Sequence, residues 1–592
     1  MLKIQIKYYT PTVAEKFFIE KVVELLDPQT IDSYRLRMHN PLTILKELRQ
    51  VISDLNDNKL KNVSYAESLM QEALFLIQTE NELNFKSLSK SYYIKLLSNK
   101  NGGKRNLNHV LYSTNLIIND NENYAGIIFS KISSEIIRLN LLNPPIIEDF
   151  KILNGIIGYY FIELINRGFS KQYLFYFFKS IFFSPSHGNF SDRLDIISSL
   201  NTKVKEKFNV IIGISIPSEY SSKITILNGE FSLLKKAERK DIVRKTNQKI
   251  KDYFEKYKTK CLFYQIEVSA FDFYSSIKFA RQRLQILFDV IHMGHSDVKI
   301  SVIEECAQVG ENNPRRANVL KIQYYLDGYY KSEQKLYDDF LNKIKIINEK
   351  KIDKGTLSRI NSGLRYLRLG FDSHELENKI LNYWIGLEYL FSPNDTDSYT
   401  VGRIREYFKK CHAIVYFKRN LKYLHDSIII HHLGYKVPQI SYNLNYLTIE
   451  SNYDAIISEY ITYPLLAYRA NSFKEQLCSD KKTKDTIEKH QKNLDWNLNR
   501  IYRIRNEIVH NASIQTNSET ITSHLRYYLV FILNGLMDFI INEPIDIDGD
   551  SELTIDDYFI MQEILIENIA NDVNFQKFSY LLKMHNPVEY LS

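Results

Sequence analysis

The sequence predicts a mainly α protein. A helical N-terminal region covers 1–205, a small α/β domain with a connecting helix covers 206–350, an all-α helical bundle covers 355–545, and an acidic linker with C-terminal helices covers 546–592. Three observations carry this expectation. Apolar residues recur at three- and four-residue spacing in AEKFFIEKVVELL, LTILKELRQVISDL and ELENKILNYWIGLEYLF. Short β-branched runs are concentrated in the stretch that follows Phe208. After Thr356 glycine and proline become sparse, and four or more long amphipathic segments run to about Asn542.

In chain order, Val13 to about Leu200 reads as helices, with breaks at Asn101-Gly102-Gly103, at Pro144-Pro145 and at the SPSHG turn from Ser184 to Gly188. The most apolar stretch, YLFYFFKSIFF from Tyr173 to Phe183, is too short to span a bilayer and contains Lys179. It reads as a buried aromatic helix. NVIIGISI and KITILNGEFSLL, with a polar turn between them, read as a β-hairpin. Lys235 to Lys260 is basic and helix-like. Its alternating acidic residues make it a solvated face, with RNA contact as the functional alternative. CLFYQIEVSAFDF reads as a strand, SSIKFARQRLQILFDVIHM as an amphipathic helix ending at Gly294, and VKISVIEE as another strand. Pro544 and the run IDIDGDSE mark the last boundary, and the last forty residues, including YFIMQEILIENIA, read as one or two docking helices. IDIDGD resembles a calcium loop only superficially, because its glycine comes too early and the twelfth position is Asp557, not glutamate.

Composition bounds the function classes. Hydrophobic residues are 44% of the chain and charged residues 25%, which suffices for a real core. Forty-two tyrosines and thirty-three phenylalanines, with abundant Ile, Asn and Lys, look like coding by an AT-rich, often bacterial, genome. A formal charge of +7 permits a nucleic-acid partner without demanding one. Cys261, Cys306, Cys411 and Cys478 are far apart and form no CxxC pair, so a disulfide framework or zinc site is not expected and a reducing cytoplasm fits. The N-terminal MLKIQIKYYTPTVAEKFF lacks the apolar run of a signal peptide, and no membrane association is expected. There is no P-loop, no GxGxxG after a strand and no HExxH, so no cofactor or metal is expected.

One constellation carries chemistry. In the segment from about Thr486 to Asn511, Leu494, Leu498, Ile501, Ile504 and Ile508 form an apolar helical stripe, and Arg505 lies on it. Asn499, Arg503, Asn506 and His510 form a polar stripe beside it, at spacings of four, three and four. A guanidinium on a core-facing stripe needs a carboxylate or an anion. In ELENKILNYWIGLEYLF the stripe Leu376, Ile380, Trp384, Leu387, Phe391 carries Glu388 in the same way. The two helices are therefore expected to meet, with Glu388 orienting Arg505 through a bidentate pair. Such a set suits metal-independent RNA cleavage. His510 can move a proton at neutral pH, and Arg505 can hold the scissile phosphate as the 2′-hydroxyl attacks. One histidine per chain is short of both an acid and a base, so a two-fold dimer is expected to complete the site.

Arg505-Asn506-Glu507-Ile508-Val509-His510 resembles the R-N-x-x-x-H signature of the HEPN superfamily. The wider context is similar to its Apea-like branch. RINSGLRYLRLGF (Arg359 to Phe371) precedes NYWIGLEYLF (Asn382 to Phe391), the motif follows about a hundred residues later, and SHLRYYLVFILNGLMDFII closes the region. The resemblance covers roughly 355–545, about a third of the chain, and upstream ELINRGFSKQYLF also looks like a segment seen before such domains. It implies an all-α HEPN fold, a homodimer, and an endoribonuclease site of Arg505, Asn506 and His510, supported by Glu388. Many members act as bacterial anti-phage or abortive-infection effectors. That implies a cytoplasmic toxin whose N-terminal domains sense a phage-derived or other trigger. One subgroup, modified by a partner nucleotidyltransferase, carries tyrosine two residues after the histidine. Here that position is Ala512, so that pairing is not implied.

Structural readings stand beside the functional ones. Arg505 and Glu388 also suit an ion pair that fixes helix register, His510 a residue satisfying the helix C-terminus, and Asn506 plain polar surface. On that reading the domain is a non-catalytic scaffold for dimerisation and for RNA or protein binding. His292 and His295, at a helix end, and His431-His432, after an isoleucine run, read as helix ends and not as metal ligands.

Overall fold

The computed structural model describes residues 9–571 apart from 29–37, 80–82, 100–102, 143, 218–229, 295–299, 329–333, 351, 393–399, 435, 438–443, 478–479, 512–517 and 543–551. KITILNG, most of the acidic run after Pro544, Cys478, His295 and Ala512 fall outside the described residues. The protein is mainly α with a small α/β part: it is 73% helical, with a single five-stranded antiparallel sheet among the described residues.

Two compact units divide the chain. One holds Met1–Glu163, Phe182–Ser191 and Leu326–Ser592, and the other Leu164–Ile181 and Asp192–Tyr325. The N-terminal helices to Glu163 thus share a unit with the C-terminal helices, which the expected boundaries had separated.

In the sheet-bearing unit the strands are β1 (Glu206–Ser215), β2 (Phe231–Leu233), β3 (Leu262–Ala270), β4 (Ser301–Gly310) and β5 (Asn318–Lys321), in the order β2-β3-β1-β4-β5. The expected hairpin is corrected: Phe231–Leu233 pairs with β3, and β1 pairs with β3 on one side and β4 on the other. The reason lies in β1 itself. Phe208, Val210, Ile212 and Ile214 alternate onto one face while Ile211 faces the other, so a strand apolar on both faces takes the centre. The short β2 is left to the edge. The basic stretch resolves into two helices, Lys236–Lys245 and Gln248–Tyr257. Ile250, Tyr253, Phe254 and Tyr257 of the second pack beside Ile211. The opposite face is covered by the helix Phe273–Gly294 through Ile277, Ala280, Leu284 and Leu287. That helix joins β3 to β4 over the intervening β1. Gly213 is required where it stands, because a Cβ there would lie 2.6 Å from the Cys261 sulfur and 2.9 Å from Ile303. The expected aromatic helix, Lys171–Phe183, buries Leu174, Phe175, Phe178 and Phe182 and leaves Tyr176 exposed.

The helical unit opens with α1 (Val13–Leu26), α2 (Pro41–Asn56) and α3 (Ser64–Thr79); along the chain, α4 to α13 are Lys90–Ser98, Gly103–Asp120, Tyr124–Leu141, Phe150–Arg167, Lys171–Phe183, Phe190–Ser198, Lys236–Lys245, Gln248–Tyr257, Phe273–Gly294 and Gln334–Glu349. Asn40 starts α2 by accepting from the N–H groups of Leu42 and Thr43 at 2.9 and 2.8 Å, with Pro41 at the first helical position. Its C-terminal part contains α14 (Lys354–Asp372), α15 (Leu376–Phe391), α16 (Thr400–Ile430), α18 (Pro464–Leu477), α19 (Asp480–Asn511) and α20 (Ser518–Asn542), with a shorter α17 (Glu450–Ile457) before α18. Gly370 lets α14 approach α15, since a Cβ there would fall 2.3 Å from the Tyr383 ring. Trp384, Leu387, Leu494, Leu498, Ile501 and Ile504, all from the two expected stripes, join one core with Leu525, Tyr528 and Leu529. Glu519–Asn542 is long and apolar enough to cross a membrane, but Ile521 to Ile540 are buried, and here it is a helix of this core.

One buried carboxylate in this unit gives a pH prediction. Glu20 of α1 is fully enclosed and accepts from the Leu465 N–H of α18 at 3.1 Å. Burial pushes its carboxyl up to about 7, against the pull of Lys16 and that hydrogen bond. The folded value lies above the unfolded one. The stability gained by keeping the group protonated is therefore complete below about 4.5 and lost as pH rises through about 7. Glu20→Gln keeps a neutral oxygen acceptor. It is expected to match the wild type at acid pH and to exceed its stability by about 3 kcal/mol above neutrality. Glu24, held below its usual range by Arg469 and Lys21 despite burial, is common to both proteins and cancels in the difference. Paired thermal melts from pH 5 to 9 check this, and a pH-independent difference would refute it.

Candidate active site

α19 carries Arg505, Asn506 and His510 in its last two turns. Leu494, Leu498, Ile501 and Ile504 anchor the helix in the core, so the last two turns hold a fixed orientation. Arg505 lies at the edge of the apolar stripe with its side chain 26% exposed. Its Nη1 donates to Asn506 Oδ1 at 3.0 Å. Arginine only donates, so the amide oxygen must face it. The Asn506 nitrogen consequently faces the other way and donates to the Tyr65 hydroxyl of α3 at 3.0 Å. His510 is exposed in the final turn.

The expected meeting of α15 and α19 occurs, but its geometry is corrected. Arg505 Nη2 lies 3.8 Å from Glu388 Oε2, a single ion pair in place of a bidentate fork. Glu388 Oε1 is taken by the Trp384 indole N–H at 2.6 Å, one turn earlier on α15. Because both charges are about a quarter exposed, the contact is loosely held. Arg505 Nε, enclosed by protein, has no hydrogen-bond partner. Asn506 and Glu388 orient the guanidinium, and with Glu388 only at 3.8 Å its Nη donors are not all used, as binding an anion would need.

The rest of the polar stripe behaves differently. Asn499 donates to Ser68 of α3 at 3.2 Å. Arg503, 2% exposed, bonds Glu47 of α2 and lies 3.7 Å from Glu507. Its neighbour Arg500, 3% exposed at the side chain, reaches Glu47 with Nε at 3.0 Å and Glu72 of α3 with Nη2 at 2.6 Å. His39 Nε2 stands 2.7 Å from the same Glu47 carboxylate. Burial opposes charge on Glu47, yet Arg500, Arg503 and His39 outweigh it and hold the carboxyl well below the usual range. Glu507 shows the opposite balance: burial raises its carboxyl, and Arg503 only partly offsets this. Arg500, Glu47 and Glu72 were missed by sequence reasoning. The signal was available, because Glu47 sits three residues after Ile44 and four before Val51 on the buried stripe of α2, as Glu388 does on α15.

Other candidates resolve as structural. His431 closes α16 and packs on the Tyr463 ring at 4.5 Å. No group of three or more His, Cys, Asp or Glu residues able to hold a metal occurs among the described residues. His412 and His490 form a hydrogen-bonded pair at 2.9 Å, and His412 also reaches the Tyr527 hydroxyl at 3.2 Å. No family model, no curated protein and no solved structure matches this chain.

Proposed function

We propose that the protein is a metal-independent endoribonuclease of HEPN type, active as a homodimer, with Arg505, Asn506 and His510 as its site and Glu388 in support. The observation that carries this reading is the contrast along α19. Arg500 and Arg503 are 3% and 2% exposed and paired at close range with Glu47, Arg500 also with Glu72, whereas Arg505 is 26% exposed and meets Glu388 only at 3.8 Å, and His510 reaches solvent. In the reaction, one His510 takes the proton of a 2′-hydroxyl as that oxygen attacks phosphorus. Arg505 stabilises the charge gathering on the phosphoryl oxygens. The second protomer's histidine gives a proton to the departing 5′-oxygen, leaving a 2′,3′-cyclic phosphate and a 5′-hydroxyl. A cytoplasmic role in bacterial anti-phage defence, with a trigger acting on the N-terminal region, belongs to the same proposal.

The test is cleavage of RNA in excess chelator, with product ends mapped. Cyclic phosphate ends are expected, and a 2′-O-methyl copy of the same RNA should stay intact. Cleavage that stops on chelation, or that proceeds on the methylated strand, refutes the mechanism.

One observation favours the alternative, a non-catalytic scaffold for dimerisation and RNA or protein binding. Asn499, Arg503 and Asn506, three of the four polar-stripe residues, are engaged by Ser68, Glu47 and Tyr65 of the N-terminal helices. RNA binding without any cleavage would support that reading.

A further inference from the structure

The nuclease site is not confined to the C-terminal helices. A chain of contacts crosses three elements: Glu388 of α15, Arg505 and Asn506 of α19, and Tyr65 of α3. Tyr65 stands 441 residues away in sequence from the asparagine that it contacts. Its ring is 9% exposed, and burial raises its hydroxyl above the usual tyrosine value, so it remains a neutral phenol. The hydroxyl oxygen is the acceptor that Asn506 Nδ2 uses, and Asn506 Oδ1 is the acceptor that orients Arg505 Nη1. With Glu388 at 3.8 Å, the asparagine is the closer of the two groups that orient the guanidinium.

We propose that Tyr65 is a positioning residue of the site, fixing the Asn506 carboxamide and through it the Arg505 guanidinium. This rests on the nuclease reading above. α2 and α3 are held on α19 by Glu47 and Glu72, so the hydroxyl is delivered to Asn506 by an anchored element and not by a loop. Without the hydroxyl, the amide loses its acceptor, becomes free to rotate, and no longer directs Arg505 at a phosphate.

Tyr65→Phe deletes that single oxygen. The variant is expected to melt with the wild type and to cleave RNA about tenfold more slowly, the factor carried by one ordinary hydrogen bond. The loss should fall on kcat, with KM and the pH profile unchanged, because the interaction matters most as charge builds on phosphorus. Tyr93→Phe is the control. Its buried hydroxyl, 2.6 Å from Thr114 Oγ1 in the same N-terminal region, is equally lost but lies off the chain of contacts. Tyr93→Phe should leave the rate unchanged. The proposal is overturned if Tyr65→Phe cuts at the wild-type rate while His510→Ala is inactive, or if both tyrosine variants slow alike. If the wild type does not cut RNA at all, the nuclease reading itself fails, and this inference fails with it.

Discussion

His510→Ala is expected to abolish RNA cleavage while leaving a folded protein of unchanged oligomeric state. The side chain is exposed in the last turn of α19 and contributes nothing to the core, so its removal costs little stability. Its loss removes both proton-transfer roles at once, because each protomer of the proposed dimer supplies one copy. A general acid or base contributes about 10²–10⁴-fold, and losing the pair should place the rate at the background of a sensitive assay. A mixed dimer offers a sharper version. If acid and base sit on opposite protomers, a heterodimer with one alanine should be as inactive as the double variant. Cleavage by folded, dimeric His510→Ala at the wild-type rate would remove the nuclease assignment.

The second large effect is on stability. Glu47→Ala leaves Arg500 with Glu72 alone and Arg503 with Glu507 only at 3.7 Å, in a nearly closed interior where both guanidinium groups are almost wholly inaccessible. Removing one partner from a buried charge cluster costs about 3–5 kcal/mol, because the remaining charges stay desolvated. Glu72→Ala should cost less, since Arg500 retains both contacts to Glu47. Chemical denaturation of the two variants, with hydrogen exchange localised to α2, α3 and α19, reads both outcomes. Equal costs for the two variants would show that Glu47 is not the hub. The depressed Glu47 carboxyl also has a sign: its contribution is present above the unfolded value and is lost only as pH falls through the lower folded one. Mild acid should therefore leave these helices in place.

What could be read in advance divides along a physical line. Helix existence was legible because each buried stripe repeats within a few residues, as in Leu494 to Ile504 and Leu376 to Phe391. The approach of Glu388 to Arg505 was legible too, because an opposite charge on each of two apolar faces has few other solutions. Its looseness was not, because the competing Trp384 indole can be placed only once rotamers are known. β1 was assigned the wrong partner because local pattern favours neighbours in sequence, whereas a strand apolar on both sides recruits partners for both edges. Tyr65 was invisible for the opposite reason: nothing near it in sequence signals a contact with a residue more than four hundred positions away, whereas the place of Glu47 on the buried stripe of α2 signalled a buried partner without saying which.

That separation bears on how the chain is made. Glu47 and Arg500 are 453 residues apart, so at the usual pace of synthesis, 5–20 residues per second, the carboxylate emerges roughly 20–90 s before its guanidinium. Throughout that interval the matching surface of α2 and α3 has no α19 to cover it. On the ribosome, then, the motif helix appears long after the two helices that pair with it. A truncated nascent chain ending before α19 holds Tyr65 but no Arg505. A fragment beginning after α3 holds Arg505 but lacks the hydroxyl we propose to aim it. Only a chain translated through both brings the Tyr65 hydroxyl to Asn506, so interrupted translation leaves the proposed site incomplete.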